Sequence, residues 1–290
     1  MTYRANYLNT WSAGWKALIM IGNAFRNTDQ QFNLGRLLVC VFSGFSIGLA
    51  SGLLGVGGGE FRIPVLLYLL QLPVLLSIVT NLFIGLLTVS VSFIARYQTG
   101  LITASVINIG LLMSFSSILG GYIGAHLSGK INESLLKKFL ILLLIAAGLR
   151  MVLDALVEWE PLSIPLPHVM ETLLYILVGL LIGIVSGLLG VAGGEYRIPA
   201  LIYLFGLPVK IAGTVSLLVS IPTILASFIK HWRIGHLNHY GVAVGLTMGF
   251  ASILGSYIGA SFVTTASEGL LKMLLGIVLL LATVRMVTKP

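Results

Sequence analysis

Long apolar runs broken by short polar stretches dominate this chain, and they fall into two sets of five. In the first set they are Leu34 to Val56, a short run from Ile63 to Leu72, Pro73 to Ala95, Leu101 to Leu127 and Leu135 to Leu153; the second set runs from Met170 to Val287. A helix crossing about 30 Å of hydrocarbon at 1.5 Å per residue needs about 20 apolar residues. The run Ile63 to Leu72 is too short to cross alone as a regular helix, and Pro73 follows where a helix cannot simply continue. The pattern predicts an all-α polytopic membrane protein. It has two homologous halves of about four to five transmembrane segments each, with short or broken helices at glycine-rich tips.

The two sets are copies. A shift of 135 positions lays GLLGVGGGEFRIP (Gly52 to Pro64) on GLLGVAGGEYRIP (Gly187 to Pro199) and SILGGYIGA (Ser117 to Ala125) on SILGSYIGA (Ser252 to Ala260), with Lys137 on Lys272 and Arg150 on Arg285. This divides the chain into an amphipathic interfacial segment (1–33), a first repeat (34–153), a proline-rich acidic linker (154–169) and a second repeat (170–290). Parity decides the symmetry: five crossings per half invert the second copy, four leave it parallel. With the N-terminus inside and inverted halves, most Lys and Arg residues, Arg36, Lys137, Arg197 and Arg233 among them, fall inside, while Arg62, Arg96, Arg150, Lys210 and Lys272 fall outside. The positive-inside rule therefore favours inversion. Inverted repeats with a short helix at corresponding places point to a transport site near the midplane and permit alternating access.

Composition agrees with lipid as the solvent: 57% of the 290 residues are hydrophobic and 9% charged, and the mean hydropathy is +1.04. The net charge of +8 comes from single basic residues between apolar runs, the pattern of topology signals, so no nucleic acid is expected as partner. The single cysteine, Cys40, lies in an apolar run and can form no intrachain disulfide. The N-terminal segment lacks the compact apolar core and cleavage site of a signal peptide, so it is expected to remain on the mature protein.

Candidate chemistry gathers at the tips. Gly57, Gly58 and Gly59, with Gly193 and Gly194 in the second copy, can present bare backbone N–H groups at a helix N-terminus, an anion cradle, or can serve helix ending and close packing instead. Glu60 and Glu195 are the acids within the motif-rich parts, candidates for proton coupling or for ion pairs with Arg197 and Arg62; these arginines can alternatively grip an oxyanion. Thr80, Asn81, Thr214 and Ser216 offer short polar side chains for oxyanion oxygens or for neighbouring helices. Tyr68 and Tyr203 line the path or anchor at the interface. His231, His236 and His239 are read as part of a solvated positive loop, not a metal site. No nucleophile or metalloprotease motif is present, so no catalytic residue, metal or cofactor is expected, and the chain is read as no enzyme.

With GLLGVGGGE and GLLGVAGGEYRIPALIYLFGLPVKIAGTVS in tandem, each followed by a positive turn and an SILG-x-YIGA helix, the chain resembles the sulfite exporter (TauE/SafE) family over Gly35 to Val287. That resemblance implies a secondary transporter of small sulfur-containing anions such as sulfite or short organosulfonates in a bacterial inner membrane, N-terminus cytoplasmic. Its partners would be a small anion, the bilayer and, in some arrangement, further copies of the chain. The other readings are a passive anion channel and a membrane-embedded structural subunit. Asn81 and Val215 depart from the Thr-Ser pair usual after the family's proline, and the Glu and Arg of GGEFRIP and GGEYRIP occupy a stretch the family often fills with apolar residues.

Overall fold

The computed structural model describes residues 33–127, 133–157, 167–234 and 237–288. The expected interfacial segment lies outside the described residues except for Asn33, as do His236 and the middle of the linker. The described residues fold as ten helices without strands. The first half holds α1 (Leu34–Leu54), the short α2 (Gly59–Pro64, continuing as π-helical turns over Val65–Leu69), α3 (Val74–Gln98), α4 (Ala104–Leu127) and α5 (Glu133–Leu156). The second holds α6 (His168–Leu189), the short α7 (Gly194–Phe205), α8 (Val209–Arg233), α9 (His239–Ser261) and α10 (Glu268–Thr288).

Local chemistry sets these boundaries. Asn33 and Asn238 accept hydrogen bonds from the N–H groups of Arg36 and Gly241, each at 2.9 Å, and so cap α1 and α9. Pro73, Pro167 and Pro208 stand immediately before α3, α6 and α8, where no helical N–H is lost. Gly55 and Gly190 end α1 and α6 in the left-handed conformation (φ 83° and 69°), their N–H groups returning to the carbonyls of Ser51 and Ser186.

Among the described residues six helices, α1, α3, α4, α6, α8 and α9, are long and apolar enough to cross a membrane. Large apolar side chains such as Leu34, Phe42, Phe115 and Phe250 stand on the outside, while Arg62, Arg96, Arg197, Asn81 and Glu195 are buried. Such an inside-out distribution would be untenable in water and is what lipid demands. The chain is an integral membrane protein.

The tightest packing joins helices of opposite halves. A Cβ added at Gly44, Gly48 or Gly52 of α1 would stand 2.4, 2.4 or 2.1 Å from the carbonyl oxygens of Met248, Ser252 and Ser256 on α9. Gly179, Gly183 and Gly187 of α6 meet Met113, Ser117 and Gly121 on α4 in the same way. Only glycine lets two backbones come this close, and in lipid such dispersion contact replaces the hydrophobic effect as the glue.

These contacts also give directions. Residue numbers rise together along α1 and α9, and along α3 and α9, where Gly241, Gly245 and Gly249 follow Leu76, Phe83 and Leu87. Hence α1 and α3 point the same way, and α2 must bring the chain back between them. At the centre α3 meets its counterpart α8 antiparallel, Gly85 beside Ile224 and Arg96 beside Gly213. This arrangement is compatible with inverted copies. The basic residues counted as topology signals include Arg62, Arg96 and Arg197, which are fully buried in the bundle and so cannot report the side of the membrane.

Candidate functional site

Both glycine tips converge where α3 crosses α8. A Cβ on Gly57 would fall 2.4 Å from Cβ of Ala192, Gly59 lies against Val191, and Gly194 lies against the backbone of Val56. Each tip makes its turn with a glycine at positive φ directly before its short helix, Gly58 at 72° and Gly193 at 76°. Any side chain there would be strained as well as crowded. The motif GGE therefore places Glu60 and Glu195 in the first turns of α2 and α7, which start side by side in the middle of the molecule. The two carboxyl groups lie within hydrogen-bonding reach of each other. Tyr196 interacts electrostatically with both, and its buried hydroxyl has no hydrogen-bond partner among the described residues.

The arginines of the same motif place their hydrogen bonds on groups other than the carboxyl pair. Arg62 donates through Nη1 to Asn81 Oδ1 (3.1 Å) and through Nη2 to Gly57 O (3.0 Å) and Thr88 Oγ1 (3.4 Å). Asn81 in turn donates through Nδ2 to Gly190 O of the opposite tip at 2.8 Å, tying the halves together. Arg197 donates through Nη1 to Ser216 O (3.1 Å) and Ser220 Oγ (2.8 Å), while its Nε and Nη2 make no hydrogen bond. The expected exchange of ion pairs, Glu60 with Arg197 and Glu195 with Arg62, is thus not the arrangement found: carbonyl, amide and hydroxyl oxygens take the hydrogen bonds of both guanidinium groups. The physical reason is reach, since residues two apart on a helix start do not face the same neighbour, and α3 and α8 offer neutral acceptors nearer by.

Of the other residues singled out from sequence, Ser216 belongs to this cluster, buried with its Oγ unpartnered. Thr80 is buried against α9, near Gly241. Thr214 accepts from Arg96 Nη1 at 2.9 Å and donates to Lys210 O, away from the carboxyl pair. Tyr68 is exposed on the outside. Tyr203 donates to Asp154 Oδ2 at 3.0 Å, and Asp154 pairs with Arg150 at 3.1 Å. Tyr203 also lines a lateral, almost wholly apolar cavity of about 540 Å³ between α5, α6 and α7, with Arg150 at its polar end. His231 is buried at the end of α8, which corrects its reading as part of a solvated loop; it occupies the register position of Arg96 in the other copy.

Sequence reasoning missed Arg96, Thr88 and Ser220. Arg96 is fully buried and donates to Gly52 O and Leu53 O, each at 3.0 Å, and to Lys210 O at 3.1 Å, so it neutralises the carbonyl end of α1. Its signal was a lone basic residue closing an apolar run, which reads equally well as a topology charge. Thr88 and Ser220 lie one or two turns beyond the polar pair examined at the start of each helix, on the same face.

The sulfite exporter TauE/SafE family model matches residues 10–151 and 175–290. Among curated proteins, the probable membrane transporter protein YunE of Bacillus subtilis (strain 168) is 25% identical over 252 residues, 78% of this chain and 90% of that protein. The probable membrane transporter protein MJ0441 of Methanocaldococcus jannaschii is 25% identical, the match covering 84% of this chain and 92% of its own length. A second Bacillus subtilis protein, probable membrane transporter protein YdhB, is 24% identical over 79% of this chain and 91% of its own. No solved structure matches the chain. With both copies of the glycine tip and nearly the whole helical bundle inside the matched residues, this integral membrane protein belongs to the sulfite exporter TauE/SafE family.

Proposed function

We propose that the chain is a secondary transporter that carries a small sulfur-containing anion, sulfite or a short organosulfonate, across the cell membrane by alternating access, coupled to protons through Glu60 and Glu195. One observation carries the anion: three guanidinium groups, Arg62, Arg96 and Arg197, are fully buried, and every one of their hydrogen bonds goes to a neutral group. Buried charge at membrane depth is costly unless it serves the transported species. The N-terminus of the twelve-residue α7 adds a partial positive charge at the same place.

Two carboxyl groups in mutual hydrogen-bonding reach are held together by a shared proton and driven apart when both ionise. The pair therefore adds about one negative charge against the arginines and leaves the crossing net positive. An anion arriving next to Glu195 is repelled by an ionised pair and tolerated by a protonated one. Proton and anion then favour each other's binding, which is the thermodynamic requirement for moving both together. The broken helices supply the moving parts, because each starts at a glycine turn, Gly58 or Gly193, where the backbone is not held in a continuous helix. The family name and the relatives' names support a membrane transporter, and the sulfur oxyanion is the ligand class that the family name suggests. In the orientation favoured by the peripheral basic residues, the N-terminus is cytoplasmic.

Purified protein in liposomes tests this reading by uptake of radiolabelled sulfite and of a two-carbon sulfonate, with and without an imposed pH gradient. Saturable, gradient-responsive flux is expected in the wild type. The Glu60→Gln/Glu195→Gln variant is expected to lose the response to the gradient. Flux indifferent to the gradient in the wild type would make the protein a passive channel; no flux of any anion would leave only a structural role.

A further inference from the structure

The two copies of the tip are alike in backbone but not in what surrounds the arginine, and that difference singles out one of them. In the first copy both terminal nitrogens of the Arg62 guanidinium are occupied, Nη1 by Asn81 and Nη2 by Gly57 O with Thr88, so that only Nε is unpartnered and its Nε–Nη2 edge is already half used. In the second copy Ser216 stands where Asn81 would, and Ser220 stands where the first copy has Gly85. Ser220 accepts from Arg197 Nη1 and donates to Ala192 O at 3.2 Å. Ala192 O is the counterpart of Gly57 O, the acceptor that Arg62 Nη2 uses. One hydroxyl thus fills both jobs at once, and it leaves Nη2 of Arg197 without work.

The unused atoms are neighbours on the guanidinium. Nε and Nη2 form one edge of the planar group, the side-on edge that holds two oxygens of one oxyanion in parallel. In Arg197 both are unpartnered in a fully buried side chain, and Nη2 points toward the start of α7, 3.6 Å from where a Cβ on Gly193 would lie. Ser216 Oγ, also buried and unpartnered, belongs to the same shell through its carbonyl contact with Nη1. The charged group that interacts electrostatically with Arg197 is Glu195, which in turn interacts with Glu60. A buried donor pair left empty is costly, and a bidentate oxyanion satisfies it.

We propose that the second copy alone seats the anion: Arg197 holds two oxygens of a sulfite, sulfonate or carboxylate group through its Nε–Nη2 edge at the N-terminus of α7, while Arg62 is a strut that braces α2 against α3 and the opposite tip. This rests on the anion-transport reading and sharpens it, since a symmetric motif is given an asymmetric use. Lysine keeps the charge but cannot present two parallel donors, so lysine substitutions separate seat from strut.

The experiment is calorimetric titration of the purified, detergent-solubilised protein with sulfite and with ethanesulfonate, alongside thermal melting of the same samples. Arg197→Lys is expected to raise Kd at least about tenfold, the scale of one charge-assisted bidentate contact, with little change in melting temperature. Arg62→Lys is expected to lower the melting temperature and to move Kd far less. Ser220→Gly, which recreates the environment of Arg62 by freeing Ala192 O for Nη2, is expected to weaken binding although it touches no charge. Equal loss of affinity in both lysine variants, or unchanged affinity in Arg197→Lys, overturns the asymmetric seat and leaves the anion reading standing. Absence of binding of either anion by the wild type overturns the anion reading itself, and the seat with it.

Discussion

The short helix of the first copy and that of the second start from nearly the same residues, GGEFRIP and GGEYRIP, yet they differ in form as well as in partners. In the second copy α7 runs as twelve regular residues through Pro199 and stops at Gly206 with φ 65°. In the first, six regular residues give way after Pro64 to a stretch of wider turns, and the stop falls on Gln71, which takes φ 58° without being glycine. The second copy has the cleaner backbone and an arginine with two unpartnered nitrogens, Nε and Nη2; the first has the strained backbone and an arginine with only Nε unpartnered. The two copies thus share a scaffold and differ in how their arginines are held, which is the contrast the proposed division into strut and seat rests on. An inverted pair that is asymmetric in this way would also present unlike sites to the two sides of the membrane.

Four manipulations break or sharpen this contrast. The largest effect is expected where the copies do not differ. Gly48→Leu and Gly183→Leu, which would force Cβ atoms to within 2.4 Å of Ser252 O and 2.5 Å of Ser117 O, should each cost more than the ~3 kcal/mol of ordinary overpacking and abolish a monodisperse elution peak. A marked difference between the two would show that the helix pairs α1–α9 and α6–α4 are not equivalent supports.

Next comes the pair that differs most. Asn81→Ala removes a partner of the Arg62 guanidinium and the tie to Gly190 O, and it should destabilise by about 2–4 kcal/mol, the scale of a buried hydrogen bond to a charged group plus an orphaned partner. Ser216→Ala, whose hydroxyl has no partner, should stay within about 0.5 kcal/mol. Thermal melts of both in the same detergent decide, and equal losses would erase the division into strut and seat.

A smaller effect is expected at the helix stops. Gln71→Gly should raise stability by about 1 kcal/mol and Gly206→Gln should lower it by about 1–2 kcal/mol, because left-handed backbone costs a residue with a Cβ about that much. Opposite signs in the two melts are the diagnostic. Smallest of all, Tyr203→Phe removes one hydrogen bond to Asp154, worth about 0.6 kcal/mol in a membrane bundle. It should leave uptake unchanged; a large loss of flux would relocate the path to the lateral cavity.

Much of this architecture was legible in the sequence because lipid leaves a helix few options. Runs such as Leu34 to Val56 had to be helical, Pro73 and Pro208 had to interrupt, and a shift of 135 positions identified the tips. Side-chain partners were another matter. Glu60 and Arg62 suggested exchanged ion pairs on charge alone, but the winners were neutral groups, Asn81, Gly57 O and Ser220, whose hydrogen bonds cost less to bury than a second charge would. His231 read as solvated because its neighbours Lys230 and Arg233 are charged, while the helix turn carries its side chain inward. The spacing Gly44, Gly48, Gly52, and its copy Gly179, Gly183, Gly187, was readable as a contact face between helices, although nothing in one sequence says which helix answers it.

The glycine faces also make the two repeats dependent on each other. The glycine face of α1 is covered by α9, and that of α6 by α4, so each repeat lends its fourth helix to the other. Neither repeat covers its own groove. A single repeat would be half a lock without its key, its glycine groove open until the other repeat fills it. By the same logic the most closely packed units are not the two halves of the sequence but two mosaics, each assembled from both.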